Sequence, residues 1–243
     1  MEYLGISAFL AIALITLGST YQRGLTLTRD FGDWFVDISS LIVHFFILPV
    51  VGVTLVYKLL DFSLPNLKGS ISSTPWTNIG LYLVIDYAWY WNHRIFHADT
   101  PLWHLHSTHH KPVHIDVFIT ARNALLSHFA MVYLWLIGAA SYILDDATFF
   151  MALVAFGTVV NLWGHSHLNL KTGSFIERIV SALIVTPRDH AWHHSRENSR
   201  CNFGTVFNVW DKLHGTIHRP KLGPNSYGDA SKTTIWRQLF WPF

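Results

Sequence analysis

The side chains best suited to chemistry in this 243-residue chain are its sixteen histidines. On a helix, residues three or four apart share a face one turn apart, as ligands of one metal ion require. Imidazole is also the commonest protein ligand for metals. Three motifs have this spacing: H-x3-H at His93 and His97, H-x2-H-H at His106, His109 and His110, and H-x2-H-H at His190, His193 and His194.

Both H-x2-H-H triplets follow residues that favour the start of a helix. Before the first triplet, Thr100 is suited to cap a helix and Pro101 to occupy its first turn. Before the second, Thr186 and Pro187 repeat the arrangement, and Asp189 completes a pattern like a capping box. The sequence therefore predicts two short helices that carry imidazoles.

Further candidates lie beside these motifs. His165 and His167, at the end of an apolar stretch, are candidate ninth and tenth ligands, and Asn161 lies one turn before His165 on its face. Asp86 shares the face of His93 two turns earlier. A carboxylate on an apolar helix is costly unless it is paired, so Asp86 is predicted to accept an N–H from a ligand histidine.

The remaining histidines are not counted among the predicted ligands. We expect packed or interfacial roles for His44, His128, His214 and His218, and we do not assign His104 and His114, which lie near the His106 motif but break its spacing.

The number of candidate ligands indicates two metal ions. Imidazole suits Fe, Zn, Cu and Ni, but a tetrahedral zinc site takes only four ligands. Soluble di-iron bundles use Glu-x-x-His motifs, whereas none of Glu2, Glu177 and Glu197 has a histidine three residues later. The single cysteine, Cys201, excludes a cysteine-rich site. An all-imidazole centre for two metal ions is therefore predicted.

The composition predicts an all-α integral membrane bundle of about four to five membrane helices, with a cytoplasmic helical cap that carries the histidines. Charged residues make up 13% of the chain, about half the usual share. Many of the eleven tryptophans flank apolar stretches, as at membrane interfaces. The formal charge of +2 and the absence of a basic stripe exclude nucleic acid as a partner. The apolar stretches are 4–18, 34–57, 78–97, 124–143 and 147–163.

The positive charges predict the orientation of this bundle. Lys and Arg are absent between the last two stretches, which Asp145 and Asp146 join as a tight helical hairpin. They are plentiful after residue 170 and occur in the loop before the hairpin. The positive-inside rule then places both histidine-bearing regions in the cytoplasm. Residues 1–243 are read as one domain, and 4–18 as a retained helix rather than a signal peptide.

These motifs resemble those of the sterol desaturase/fatty acid hydroxylase superfamily of integral membrane di-iron enzymes. The three histidine motifs match its three-box signature. The flanking segments 86–97 (DYAWYWNHRIFH), 186–195 (TPRDHAWHHS) and 202–204 are similar to their usual context. The resemblance covers about residues 78–217, and His165 falls where a further ligand is common.

The resemblance implies an O2-dependent oxidation of an unactivated C–H bond in a lipid or other apolar substrate. The cofactor would be two Fe ions, held by the eight histidines of the three motifs and by His165. Zinc could replace iron during purification. Without a His-Pro-Gly-Gly haem motif, electrons are expected from a separate cytochrome b5-, ferredoxin- or reductase-type donor. Two departures from the family pattern, Asn123 after Arg122 and His214 before Gly215, concern the substrate subtype rather than the metal centre.

Three alternatives remain open. A desaturase would use the same centre and remove two hydrogens instead of adding oxygen. A tetrahydrobiopterin-dependent monooxygenase, as in one branch of the superfamily, is the second. A non-catalytic metal-binding or transport protein is the third, but transport predicts ionisable residues at mid-membrane depth on several helices. Here the histidines cluster at one end.

Overall fold

The structure is a computed structural model that describes residues 4–19, 24, 26–228 and 233–240, with the backbone alone at Val53. Helices account for its regular structure, and the only β-pairing in the described residues is three isolated bridges. The predicted all-α class is therefore confirmed. The helices are α1 (Leu4–Gly18), α2 (Phe31–Ile42), α3 (Leu48–Ser63), α4 (Pro75–Ala98), α5 (Thr100–His110), α6 (Val132–Ile143), α7 (Thr148–Gly164), α8 (Phe175–Leu183), α9 (Pro187–His193), α10 (Val209–Leu213) and α11 (Ile235–Leu239).

One helical run is long and apolar enough to cross a membrane. A π-helical turn at Val43–Ile47 joins α2 to α3, so that Phe31–Ser63 forms a continuous helix of 33 residues. Within the described residues no other helix meets both criteria, because the apolar helices α1, α6 and α7 are shorter. The multi-pass bundle of four to five membrane helices therefore stays a prediction.

The predicted helix over 124–143 is wrong in its first third. Ser127–Ala130 forms a single turn, Met131 is extended, and the regular helix α6 begins only at Val132. The backbone N–H of Leu125 donates to the carbonyl of Leu239 at 2.8 Å. That bond holds this segment against α11, so it cannot continue α6. The predicted short link between α6 and α7 is present, since only residues 144–147 separate them. Both helices pack against α4 more than against each other, so the tight hairpin is not confirmed.

Glycine allows the bundle helices to approach closely. A Cβ on Gly138 of α6 would lie 2.8 Å from Cβ of Val56 on α3. A Cβ on Gly157 of α7 would lie 2.2 Å from the hydroxyl of Tyr82 on α4. These contacts, with α1 packed on α7, form the core from which the histidine-bearing ends of α4 and α7 extend.

The two short histidine helices form as predicted, with one correction. Thr186 caps α9 in a capping box with Asp189, and Pro187 occupies the first turn. The cap of α5, however, is Asp99 rather than Thr100, because the Asp99 carboxylate accepts the Leu102 N–H at 3.1 Å. Thr100 is instead the first helical residue.

Candidate metal centre

Nine histidines converge in two adjacent groups, and all nine are buried. Within each group the candidate ligand atoms lie within 4.8 Å of one another. The first group, called site 1, contains His93, His97, His106, His110 and His193. The second group, called site 2, contains His109, His165, His190 and His194. The ends of α4 and α7 and the short helices α5 and α9 thus contribute to one centre.

Backbone carbonyls determine which nitrogen carries the proton in four of these rings. A carbonyl oxygen can only accept, so an Nδ1 bonded to it is protonated, and Nε2 keeps a lone pair for a metal. The four bonds run from His93 to Phe203 O at 2.7 Å, from His109 to Arg122 O at 3.1 Å, from His165 to Asn161 O at 2.9 Å and from His193 to Cys201 O at 2.9 Å.

Two of these lone pairs face each other in site 2. Nε2 of His109 lies 3.2 Å from Nε2 of His165, and neither nitrogen has a proton to share. Nitrogens bound to one ion at about 2.0–2.1 Å are separated by roughly 3.0–3.4 Å for right-angled to tetrahedral geometry. A shared cation accounts for this contact, whereas a hydrogen bond does not.

Site 1 contains buried ring nitrogens without a protein partner. Nε2 of His97 and Nε2 of His193 make no hydrogen bond, although burial without a partner is costly. Nε2 of His106 lies 3.0 Å from that of His93 and 3.2 Å from that of His110. These unpartnered nitrogens fit a metal ion at site 1 as well.

Burial keeps the imidazoles in the neutral form that binds metals. Desolvation lowers the pKa of His165 to about 4. Desolvation also lowers the pKa values of six site 1 and site 2 histidines well below 6.5, namely His106, His109, His110, His190, His193 and His194. The centre therefore presents lone pairs rather than positive charge at neutral pH.

A turn after α9 supplies two of the carbonyls that orient site 1. Asn202 adopts a left-handed backbone conformation with φ of 51°, between the carbonyls of Cys201 and Phe203. The Asp211 carboxylate accepts the N–H groups of Phe203 and Gly204, each at 2.8 Å. Gly204 is required here because a Cβ would lie 2.5 Å from the Phe207 carbonyl. Asp211 thus stabilises the turn whose carbonyls orient His93 and His193.

A buried ion-pair network fixes the carbonyl that orients His109. The Arg122 side chain is 1% exposed and pairs with Asp37 and Asp33 of α2, each at 2.8 Å. It also donates to the Gln238 side chain on α11 at 2.6 Å. Site 2 is thereby tied to the long apolar helix and to the C-terminal helix.

Residues 79–216 match the fatty acid hydroxylase family. The chain belongs to this family. Alkylglycerol monooxygenase of Homo sapiens is 25% identical over 147 residues, which are 59% of this chain and 31% of the relative. An ornithine lipid hydroxylase of Rhizobium tropici is 27% identical over 145 residues, 57% of this chain and 40% of the relative. Alkylglycerol monooxygenase of Caenorhabditis elegans is 26% identical over 179 residues, 70% of this chain and 33% of the relative.

The aligned region is therefore less than half of each of these relatives. No solved structure is significantly similar to the chain. The family match extends over all three histidine motifs and His165, and agrees with the resemblance noted over 78–217.

Asp86 has a different partner from the one that the sequence predicted. Its carboxylate accepts the indole N–H of Trp210 at 2.6 Å and does not contact a site histidine. Trp210 belongs to α10, so Asp86 joins α4 to α10. Asn161 does orient His165, but through its backbone carbonyl rather than its amide.

His167 joins neither group of histidines. It lines a separate cavity of about 100 Å³ with Ser166, Asn169 and Arg188. The six other histidines also lie outside sites 1 and 2, namely His44, His104, His114, His128, His214 and His218. His214, for example, stacks on Tyr90 and contacts the Tyr87 hydroxyl at 3.1 Å.

The sequence did not predict that the carbonyls of Cys201, Phe203 and Arg122 accept hydrogen bonds from ligand histidines. A backbone carbonyl leaves no trace in the residue type, although the Asn-Phe-Gly segment at 202–204 hints at a turn. The contact between Asp211 and this turn joins residues seven and eight positions apart, and sequence spacing alone does not reveal it.

A cavity of about 140 Å³ lies among the bundle helices beside the centre. Its wall is mainly apolar and includes Ile85 of α4, Leu162 of α7 and Ile137 of α6. Asn161, whose carbonyl holds His165, and Val206, three residues after Phe203, also line it. The cavity therefore reaches the residues that support the ligands.

Proposed function

We propose that this chain is a membrane di-iron hydroxylase that uses O2 to oxidise an unactivated C–H bond of a lipid. The observation that carries the proposal is the contact of two unprotonated nitrogens, on His109 and His165, within a set of nine buried imidazoles. The two groups offer five and four ligands, one group for each ion. Relatives named as an alkylglycerol monooxygenase and an ornithine lipid hydroxylase support a lipid substrate.

Iron bound in both groups would supply O2 activation and the oxidation of the C–H bond. The protein's own contribution is to orient the ligand histidines and to exclude water from the site. The carbonyls of Phe203 and Asn161 fix two of the rings, so that their Nε2 atoms converge. Because burial disfavours the protonated rings, protons do not compete with the metal for the imidazole nitrogens at neutral pH.

The apolar cavity is the place for the substrate in this proposal. An inert hydrocarbon chain offers no polar group for recognition, so it must be held by shape in a dry space next to the metal. The cavity extends from the supports of the centre into the bundle, between α4, α6 and α7. The helix Phe31–Ser63 supports a location in the membrane. We place the centre on the cytoplasmic side because of the distribution of Lys and Arg along the sequence. Electrons would come from a separate donor protein.

Lipid analysis by mass spectrometry tests this function. Cells that express the chain with a redox partner should form a lipid that gains one oxygen atom, labelled when ¹⁸O2 is supplied. Cells that express His109→Ala should not, whereas His218→Ala, a histidine that packs on Trp192 outside the centre, should retain the activity. A loss of two hydrogens would identify a desaturase instead, and no lipid change despite bound iron would contradict the proposal.

A further inference from the structure

Helix α8 (Phe175–Leu183) exposes an apolar face, whereas Glu177, Val180 and Ser181 are partly buried against the protein. Phe175, Ile176, Ile179 and Leu183 lie within one stripe of the helix. They are 78, 62, 56 and 59% exposed, respectively. A helix on the surface of a water-soluble domain has the opposite arrangement. The apolar stripe of α8 therefore requires a cover that the described part of the chain does not supply.

The C-terminal end of α8 is firmly attached to residues 208–219. The carbonyl of Ser181 accepts from the Asn208 amide at 3.0 Å and from Arg219 at 2.8 Å. The carbonyl of Ala182 accepts from the Lys212 ammonium at 2.5 Å. Such donors satisfy the free carbonyls at a helix C-terminus, and two of them are cations suited to that end of the helix dipole. The orientation of the apolar stripe is thus fixed rather than incidental.

Cations border the apolar stripe. Arg178 lies on the exposed flank of α8 and Lys171 precedes the helix, and both are exposed. An apolar stripe bordered by Lys and Arg is the pattern of a helix that lies in the plane of a membrane interface, where cations meet anionic headgroups. An anionic lipid surface supplies both the apolar and the charged contacts that this combination matches.

We propose that α8 lies in the headgroup region of the membrane leaflet nearest the metal centre, with its apolar stripe inserted among the lipids. The inference rests on the membrane location in the proposed function. The placement of α8 also bears on the substrate, because this helix is linked to the wall of the apolar cavity. The Val185 N–H, two residues after α8, donates to the carbonyl of Val206, which lines the apolar cavity. The inserted helix would hold this wall of the cavity against the lipid surface.

A cysteine scan of α8 in the full chain tests this placement. Single cysteines at 175–183 are labelled with an environment-sensitive fluorophore and reconstituted in phosphatidylcholine vesicles containing phosphatidylserine. Native Cys201 is 3% exposed, and the unmodified chain gives its labelling background. Quenching by lipids that carry a nitroxide near the headgroup should be strongest at 175, 176, 179 and 183, and weakest at 177 and 181. Fluorescence at the first four positions should shift to the blue.

Three results would overturn the inference. One is quenching by an aqueous quencher at all positions, and another is the absence of a helical period. The third is energy transfer between labelled copies, which would show that a second chain covers the stripe. Resistance of the same sample to alkaline extraction reports the membrane location separately. A chain that resists extraction but has a water-exposed α8 would contradict this inference alone, whereas a chain that is extracted would contradict the proposed membrane location as well.

Discussion

Nε2 of His109 and Nε2 of His165 lie 3.2 Å apart, although both rings donate through Nδ1 to a backbone carbonyl. Two lone pairs at this distance repel unless a cation lies between them. The relationship joins α5 to the end of α7, 56 residues apart in sequence. It distinguishes a metal centre from a cluster of hydrogen-bonded histidines, and the first prediction follows from it.

Replacing His109 with Ala should remove metal from site 2 and abolish lipid oxidation. One of the four ligands of that group is lost, while site 1 keeps all five of its own. Metal content per chain should therefore fall toward half rather than to zero, as measured by elemental analysis of purified protein. His167→Ala is the matched control, because His167 lies outside both groups and should leave metal content unchanged. Equal metal loss in the two variants would show that the assignment of His109, but not His167, to a metal site is wrong.

Replacing Asp211 with Asn should weaken metal binding at site 1 without removing a ligand. Asp211 accepts two backbone N–H groups of the turn and the hydroxyl of Thr216. An amide oxygen can replace only part of these bonds, so the Phe203 carbonyl that orients His93 becomes mobile. Loss of such outer partners typically lowers metal affinity about 10–100-fold. Competition with a chelator measures this change, and an unchanged affinity would contradict the role of the turn.

Replacing Asp86 with Asn should affect stability rather than the metal. The Asp86 carboxylate accepts from Trp210 and contacts no site histidine. The weakened bond should cost about 1–3 kcal/mol of unfolding free energy. Metal content per folded chain should equal that of the unaltered protein, which elemental analysis after size-exclusion chromatography would check. A specific loss of metal at unchanged stability would restore the direct link to a ligand that the sequence suggested.

Replacing Gly157 with Ala should reduce lipid oxidation while both metals stay bound. The new Cβ would lie 2.2 Å from the Tyr82 hydroxyl, and both residues line the apolar cavity. Tyr82 must therefore shift, and the cavity changes shape. Product yield relative to metal content, measured by mass spectrometry, should fall most for the longest substrate chains. Gly223→Ala is the control, because its Cβ would meet nothing within 4 Å. Equal yields from the two variants would exclude the cavity as the substrate site.

The sequence predicted the centre better than the bundle because helical spacing is a local property. The face shared by His106, His109 and His110 follows from the geometry of one turn, and so does the capping box of Thr186. Asp86 was assigned the wrong partner because Trp210 lies 124 residues away. Only the tertiary fold brings such a pair together. His167 is two residues from His165 but joins neither site. Helix α7 ends at Gly164, so helical spacing does not predict where the His167 ring lies.

The predicted membrane helices show the same limit of prediction from local sequence. Apolar composition predicted a helix from 124 to 143, but a hydrogen bond between Leu125 and Leu239 holds the first residues away from it. Apolarity indicates burial in protein or lipid without distinguishing them. Asp37 lies within α2, where its pairing with Arg122 allows a carboxylate to be buried in an apolar helix.

Metal stoichiometry in active protein tests the central claim most directly. The chain should be purified with iron supplied throughout, assayed for incorporation of ¹⁸O into lipid, and analysed for metal in the same active fraction. We expect two iron ions per chain, with activity proportional to the occupancy of the second ion. Full activity with one metal ion or fewer per chain would contradict the division of the nine histidines into two metal sites.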